Sequence, residues 1–324
     1  MIISSWNVNS IRARILNVQE YLKKFNPDIV LTQEIKTQEE TYPFDDIKKL
    51  KYESYVFGQK SYNGVAILSK KKLDKIEKDI FKDKNKQSRI ITADAKYKSK
   101  TIKIINIYTP NGNPVDTEKY DYKLYWLDSL IKKLKSLLKS YDNIIIAGDF
   151  NIIPSAEDVH DPKGYENDAL FRIEIRKKLR EMFNLGFHDA FRYIYPDKEE
   201  YTFWDYTSGA WQKNNGMRID HFLVSNSMID QIKTEHQEIS VNNKPLNDKN
   251  SLAVKQLWKM GRFDIIEKWI AIAKNHVNNH QYGVTWDKNF CHHALLSWLI
   301  DIDSLESLNK SEFHNMLFSN KSIK

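Results

Sequence analysis

The chain carries a single cysteine, Cys291. That excludes a disulfide framework and a cysteine-based zinc cluster, and it fits a reducing, cytoplasmic compartment. No apolar run approaches the roughly 18–20 residues of a membrane span, so no membrane partner is expected. The opening segment Met1-Ile2-Ile3-Ser4-Ser5-Trp6 lacks a basic stretch followed by an apolar one, and no signal peptide is expected. No internal repeat is visible.

What is present is apolar residues and charge in quantity. Over 324 residues, 41% hydrophobic content can bury a sizeable core, and 29% charged residues favour a soluble chain. This length suits one large α/β domain or a domain with an appendage. The formal net charge is +7, which favours a polyanionic partner such as nucleic acid or an anionic surface. A lysine-rich composition alone would give the same balance.

The chain is organised around Ile144-Ile145-Ile146-Ala147-Gly148-Asp149-Phe150-Asn151. β-Branched residues followed by small ones read as a buried strand running into a loop. Asp149 and Asn151 leave an extended backbone on the same side. Such a pair suits a hard cation or a phosphate, and it equally suits an Asx-turn closing the strand.

Strands are expected over 2–6, 28–32, 54–58, 64–69, 89–95, 102–108 and 218–224. Ser10 is placed as the N-cap of a helix whose apolar face is Ile11, Ile15, Val18, Leu22 and Phe25, with Pro27 as its stop. Residues 70–86 read as a charged connection. A long helix over 117–139 presents Leu124, Leu127, Leu130, Leu134 and Leu138, and a second helix is expected over 169–183. An aromatic loop, Tyr201-Thr202-Phe203-Trp204-Asp205-Tyr206, is followed closely by Trp211. Beyond residue 250, apolar residues at helical spacing suggest a small helical tail, giving domains 1–249 and 250–324.

Asn7, Glu34, Asp149 with Asn151, and Asp220 each follow or sit in an expected strand, so one sheet edge could gather them. Carboxylates with amides make an all-oxygen site of the kind Mg²⁺ accepts, whereas zinc usually recruits His or Cys.

Trp6-Asn7-Val8-Asn9-Ser10-Ile11-Arg12-Ala13, Gln33-Glu34-Ile35-Lys36, Asn106-Ile107-Tyr108-Thr109-Pro110-Asn111-Gly112, Gly148-Asp149-Phe150-Asn151 and Arg218-Ile219-Asp220 occur in this order. Together they resemble the exonuclease III branch of the endonuclease/exonuclease/phosphatase superfamily. The resemblance implies a four-layered α/β sandwich, two mixed β-sheets flanked by helices. It also implies hydrolysis of DNA phosphodiesters with Mg²⁺ or Mn²⁺, as an abasic-site endonuclease and 3′-to-5′ exonuclease. Double-stranded DNA, especially abasic sites and 3′ ends, is then the expected partner of a monomer.

Residue by residue, Glu34 resembles the main metal carboxylate, with Asn7 beside it and Asp149 and Asn151 completing the metal set. Tyr108 resembles the tyrosine that hydrogen-bonds the scissile phosphate. Asp149 resembles the residue that activates water or protonates the leaving oxygen, and Asn151 the amide that stabilises the pentacoordinate phosphate. Asp220 resembles the carboxylate that orients a catalytic histidine. Phe203, Met217 and Ile219 would form an apolar slot for a baseless sugar, with Trp204, Trp211 and Arg218 contacting DNA nearby.

The resemblance breaks at that histidine. The family places an Asp-His pair behind Lys-Pro, but here Lys244-Pro245 leads to Leu246-Asn247-Asp248-Lys249. Lys249 stands where His is expected if one residue is inserted. His221 adjoins Asp220, but strand alternation sends it to the opposite face. Two rival readings follow, a DNA-binding member with impaired catalysis and a phosphatase acting on a lipid head group.

Overall fold

The computed structural model describes residues 1–205 and 209–232. The expected helical tail over 250–324, its boundary, and Lys244 to Lys249 lie outside the described residues.

Alternation along the strands assigns residues to layers. In β2 (Ile29–Gln33), Ile29 and Leu31 join one buried cluster while Val30 joins another. In β8 (Ile144–Asp149), Ile145 and Ala147 meet that same central cluster, and Ile144 and Ile146 face away from it. A strand covered on both faces reads as a continuous apolar run rather than an alternation, which is why residues 144–147 look as they do.

The first sheet has four strands in the order β1-β2-β4-β3, with β1 at Ile3–Asn7, β3 at Glu53–Phe57 and β4 at Val65–Ser69. β1 and β2 run parallel, and the other pairs antiparallel. The second has six strands in the order β5-β6-β7-β8-β12-β9. Its members are β5 (Asp74–Lys78), β6 (Ile90–Tyr97), β7 (Lys100–Tyr108), β8, β9 (Phe187–Asp189) and β12 (Asp220–Ser225). β7 and β8 are its parallel pair.

The two sheets close face to face over Ile29, Leu31, Val65, Ile67, Ile91, Ala93, Ile104 and Ile145. On the outside of the first sheet lie α1 (Ile15–Phe25) and α2 (Phe44–Lys48), through Val18, Leu22 and Ile47. Outside the second lie α3 (Glu118–Leu137) and α4 (Ile173–Asn184), through Trp126, Leu127, Leu130, Leu134, Ile175 and Leu179. This is the expected four-layered sandwich. The short elements α5 (Ala190–Ile194), β10 (Phe203–Trp204), β11 (Gly216–Met217) and α6 (Asn226–Ile229) complete it.

Several local expectations are corrected. Ser10 is not a helix N-cap, because α1 starts at Ile15. Its N–H donates to Glu34 O at 2.7 Å and that of Ile11 to Ile35 O at 3.1 Å, which holds these residues beside the next loop. The charged connection 70–86 contains β5, a lysine-lined edge strand whose exposure hides its periodicity. α4 begins at Ile173 rather than 169, because the Asp168 carboxylate accepts from Leu170 N–H at 2.7 Å and ties 168–170 into a turn. In α3, Trp126 and Leu137 take the core positions that Leu124 and Leu138 only flank.

Candidate active site

Parallel strands deliver their C-terminal ends to one rim. Asn7 ends β1, Glu34 follows β2, Tyr108 ends β7 and Asp149 ends β8. The antiparallel β12 begins there, with Asp220 in register with Asp149, and Tyr108 is in register with Asp149 from the other side. Half of the site therefore comes from each sheet.

Asn7 joins the halves. Its amide nitrogen donates to Glu34 Oε1 at 2.8 Å and to Asp149 Oδ2 at 3.0 Å. Its amide oxygen accepts from Asn9 N–H at 3.1 Å. Lys36 Nζ pairs with Glu34 Oε2 at 2.8 Å and donates to Asn9 Oδ1 at 2.6 Å. Burial pushes the Glu34 carboxyl up, but Asn7 and the Lys36 ammonium outweigh it and hold the group below its ordinary value. Glu34 also sits at φ 48°, a left-handed conformation that costs a non-glycine residue and is retained where surrounding bonds dictate it.

Asp149 behaves oppositely. Burial, then the charge of Glu34, raise its carboxyl from 3.8 to about 7, against the pull of Asn7, the Asn151 N–H and Lys123. Burial, then Asp149, also push Asp220 well above the usual carboxylate range. Burial, Glu34 and Asp149 together raise the Tyr108 hydroxyl, keeping it protonated as a donor. Arg89 stacks on the Tyr108 ring at 4.7 Å and donates to Tyr108 O at 3.1 Å. Gly148 is obligatory between these groups. It adopts φ 144°, and a Cβ there would sit 2.0 Å from Ile107 O.

Asn151 occupies a left-handed turn, φ 49°, and its N–H donates to Asp149 Oδ1 at 2.9 Å. Its amide donates to Thr109 O at 2.9 Å and accepts from Asn111 Nδ2 at 3.3 Å. Beneath it Lys123, wholly buried, gives its ammonium to Asn111 O, Asn151 O and Ala169 O at 2.9, 2.6 and 3.0 Å. Burial lowers that ammonium to about 7. Lys36, Lys123 and Asn111 had no role assigned from sequence. Lys123 is masked by its place among the other lysines of α3.

Among the described residues, no three His, Cys, Asp or Glu side chains converge to hold a metal unaided. Glu34 and Asp149 share one amide, and Asp220 stands in register with Asp149, its carboxyl pushed up by burial and then by the Asp149 charge. Crowded carboxyl oxygens whose ionisation is opposed by burial and by one another are what a hard divalent cation relieves, so the donor set fits one.

The aromatic region forms a β10–β11 hairpin, with Phe203 opposite Met217. Met217 and Ile219 are buried with Ile153, Val159, Leu170 and Phe171, and Phe203 packs half-buried against that cluster. Trp204 meets Trp211 edge-on at 4.4 Å and donates to Asn214 Oδ1 at 3.2 Å. Thr202 Oγ1 accepts from the N–H groups of Ile219 and Asp220 at 2.9 and 3.0 Å, fastening the hairpin to β12.

The expectation of a DNA contact at Arg218 is corrected. Its side chain is 1% exposed and pairs with Asp158 at 2.7 Å and Asp189 at 2.8 Å. Arg192 shares Asp158 at 2.7 Å. The motif's arginine is thus a buried tie between the hairpin, β9 and α5. His221 lies on the opposite face from Asp220, as alternation requires, with Nε2 2.8 Å from Ile152 O and Nδ1 3.1 Å from Arg218. Burial, then Arg218, hold it down to about 4, so it is no substitute for a catalytic histidine. Among the described residues no helix is long and apolar enough to cross a membrane.

Comparison with known proteins matches this arrangement. The Endonuclease/Exonuclease/phosphatase family model matches residues 4–238. An exodeoxyribonuclease of Bacillus subtilis is 32% identical over 237 residues, covering 72% of this chain and 91% of the relative. Exodeoxyribonuclease III of Haemophilus influenzae is 32% identical over 238 residues, covering 70% and 88%. Among solved structures, an AP endonuclease from Archaeoglobus fulgidus superposes with a TM-score of 0.66 at 34% identity, covering 71% of this chain and 89% of that one. A 3′-5′ exonuclease from Neisseria meningitidis gives 0.68 at 31%, covering 72% and 90%. The family model spans more than half of the chain and the relatives are matched over most of their length, so the chain belongs to the endonuclease/exonuclease/phosphatase family.

Proposed function

We propose that this protein is a Mg²⁺-dependent DNA-repair nuclease that hydrolyses backbone phosphodiesters at abasic sites and 3′ ends of duplex DNA. The observation that carries the reading is the Asn7 amide shared by Glu34 and Asp149, with Tyr108 and the Asn111–Asn151 amides around it. Glu34 and Asp149 would hold the cation, with Asn7 orienting the two carboxylates. When bound, Mg²⁺ or Mn²⁺ supplies a Lewis acid that polarises a phosphoryl oxygen and offsets charge at the phosphorus.

The chain's own residues do the rest. Asp149 takes a proton from the attacking water or returns one to the leaving oxygen. Tyr108, kept protonated, donates to a non-bridging phosphate oxygen. The Lys123 ammonium holds the Asn111 and Asn151 backbone carbonyls, and the Asn111–Asn151 and Asn151–Thr109 bonds orient the two side-chain amides beforehand, so donors wait where charge develops. The net positive charge, +7, draws DNA to the surface and makes affinity fall as salt rises. Phe203, half-buried over Met217 and Ile219, offers the baseless sugar an apolar wall, with Trp204 and Trp211 beside it.

The test is cleavage of a synthetic abasic duplex, an intact duplex and a 3′-recessed duplex, with Mg²⁺, Mn²⁺ or EDTA. A phosphoinositide panel runs in parallel. Metal-dependent cutting of the abasic and recessed substrates, lowered at least about 10²-fold by Glu34→Gln, is the expected result. Release of phosphate from the lipids without DNA cleavage would overturn the proposal.

A further inference from the structure

The two halves of the rim stand on different sheets, so their spacing depends on what fixes one sheet against the other. Apolar contacts between sheets are non-directional and tolerate small slides. Hydrogen bonds do not, because they require both distance and angle. Among the Ile, Leu, Val and Ala side chains of the sandwich interior sits a buried amide pair, Gln33 and Asn106, each fully buried. Gln33 immediately precedes Glu34. Asn106 is two residues before Tyr108 on β7, hence on the same face of the strand.

The pair spans the gap between the sheets. Gln33 Nε2 donates to Asn106 Oδ1 at 2.7 Å. Asn106 Nδ2 lies 3.0 Å from Thr32 O and 2.9 Å from Ala66 O, carbonyls of cross-strand partners on β2 and β4. Gln33 Nε2 also has Ser5 Oγ at 3.1 Å and Leu31 O at 3.2 Å, so three acceptors compete for its two hydrogens. Among the described residues, Gln33 Oε1 meanwhile has no hydrogen-bond partner.

A buried amide oxygen without a donor is costly, and an apolar pair would avoid that cost. The arrangement is therefore poorly suited to stability and well suited to holding a register. We propose that the Gln33–Asn106 pair is a positioning clasp that sets Glu34 on one sheet at its working distance from Tyr108 and Asp149 on the other. Asn7 can bridge both carboxylates only at that spacing. The inference rests on the nuclease reading for its effect on rate, since misplacing reacting groups by about 1 Å costs ~10²-fold.

The test compares the parent with Gln33→Leu, Asn106→Leu and the double variant. Two leucines keep the site apolar and remove the unpaired oxygen but add volume and leave the Thr32 and Ala66 carbonyls without their side-chain donor, so the double variant should fold with a urea midpoint somewhat below the parent's. Its kcat on the abasic duplex should fall about 10–100-fold, with KM within about 2-fold. Each single variant should lose as much rate as the pair. A stable double variant with parental kcat overturns the clasp. If the leucine pair does not fold, the exchange Gln33→Asn with Asn106→Gln, which keeps two amides, is read against Gln33→Asn alone. Recovered kcat supports the clasp, and none overturns it. The site is also read without cleavage, by fluorine NMR of 3-fluorotyrosine protein with the Tyr108 signal assigned through Tyr108→Phe. A shifted or split signal in the double or exchanged variant supports the clasp, and an unchanged one overturns it. Were the parent to cut no DNA, the nuclease reading would fall while the fluorine signal still decided the clasp.

Discussion

Replacing Asp149 with Asn should stabilise the metal-free protein at alkaline pH while abolishing cleavage. The carboxyl rises from 3.8 in the unfolded chain to about 7 in the fold, through burial and then through Glu34. A carboxyl raised on folding favours the folded state fully below its unfolded value and loses that contribution as pH climbs through the folded value. The penalty therefore grows between about pH 4 and pH 7 and is constant above. At 1.36 kcal/mol per pH unit, it reaches at most ~4 kcal/mol. An amide at this position escapes it. The amide has one oxygen for two donors, Asn7 Nδ2 and Asn151 N–H, and losing one of those bonds costs about 1 kcal/mol. The expected net gain is ~1–3 kcal/mol at about pH 9, shrinking to nothing or reversing near pH 4. Urea denaturation of both proteins in EDTA across that range, followed by tryptophan fluorescence, measures it. Comparing the two proteins cancels the titration of groups that the Asp149 charge does not reach, while Asp220, which that charge pushes up, is relieved in the variant as well. A variant no more stable than the parent at about pH 9, or a difference independent of pH, would refute the reasoning.

Arg218→Met should destabilise by up to ~3–5 kcal/mol, because Asp189 loses its guanidinium partner and Asp158 keeps only that of Arg192. The folded fraction should bind duplex DNA as the parent does, and a selective loss of DNA affinity would restore Arg218 to the substrate surface. Lys123→Met removes the donor to three carbonyls and should cost ~2–4 kcal/mol by denaturation, together with cleavage rate. A variant with unchanged stability would show that water serves those carbonyls equally well. Lys249→His should raise the single-turnover rate on abasic DNA by ~10²–10⁴-fold, the usual contribution of a positioned acid or base. A parent that is already fast, and a variant no faster, would show that no histidine is needed beside Asp220.

The sequence by itself determined the layers and the order of the motifs. Buried strands such as 144–149 and the apolar face of α3 announce themselves because burial on a fixed period depends on residues near one another in the chain. It also marked Asn7, Glu34, Tyr108, Asp149 and Asp220 as strand-end residues. Only the tertiary structure decided which atoms meet. That Asn7 touches carboxylates 27 and 142 residues away depends on how two sheets pack, and no local pattern encodes it. The same holds for Arg218. As a cation inside a DNA-binding motif it invites a phosphate, yet Asp158 and Asp189 lie 60 and 29 residues distant and reach it first. Ser10 lost its cap because residues 34 and 35 supply its loop with carbonyl partners. Lys123 and the Gln33–Asn106 pair were hidden for one reason. A buried polar side chain is defined by its partners, and those partners come from loops and strands that converge only when the sandwich closes.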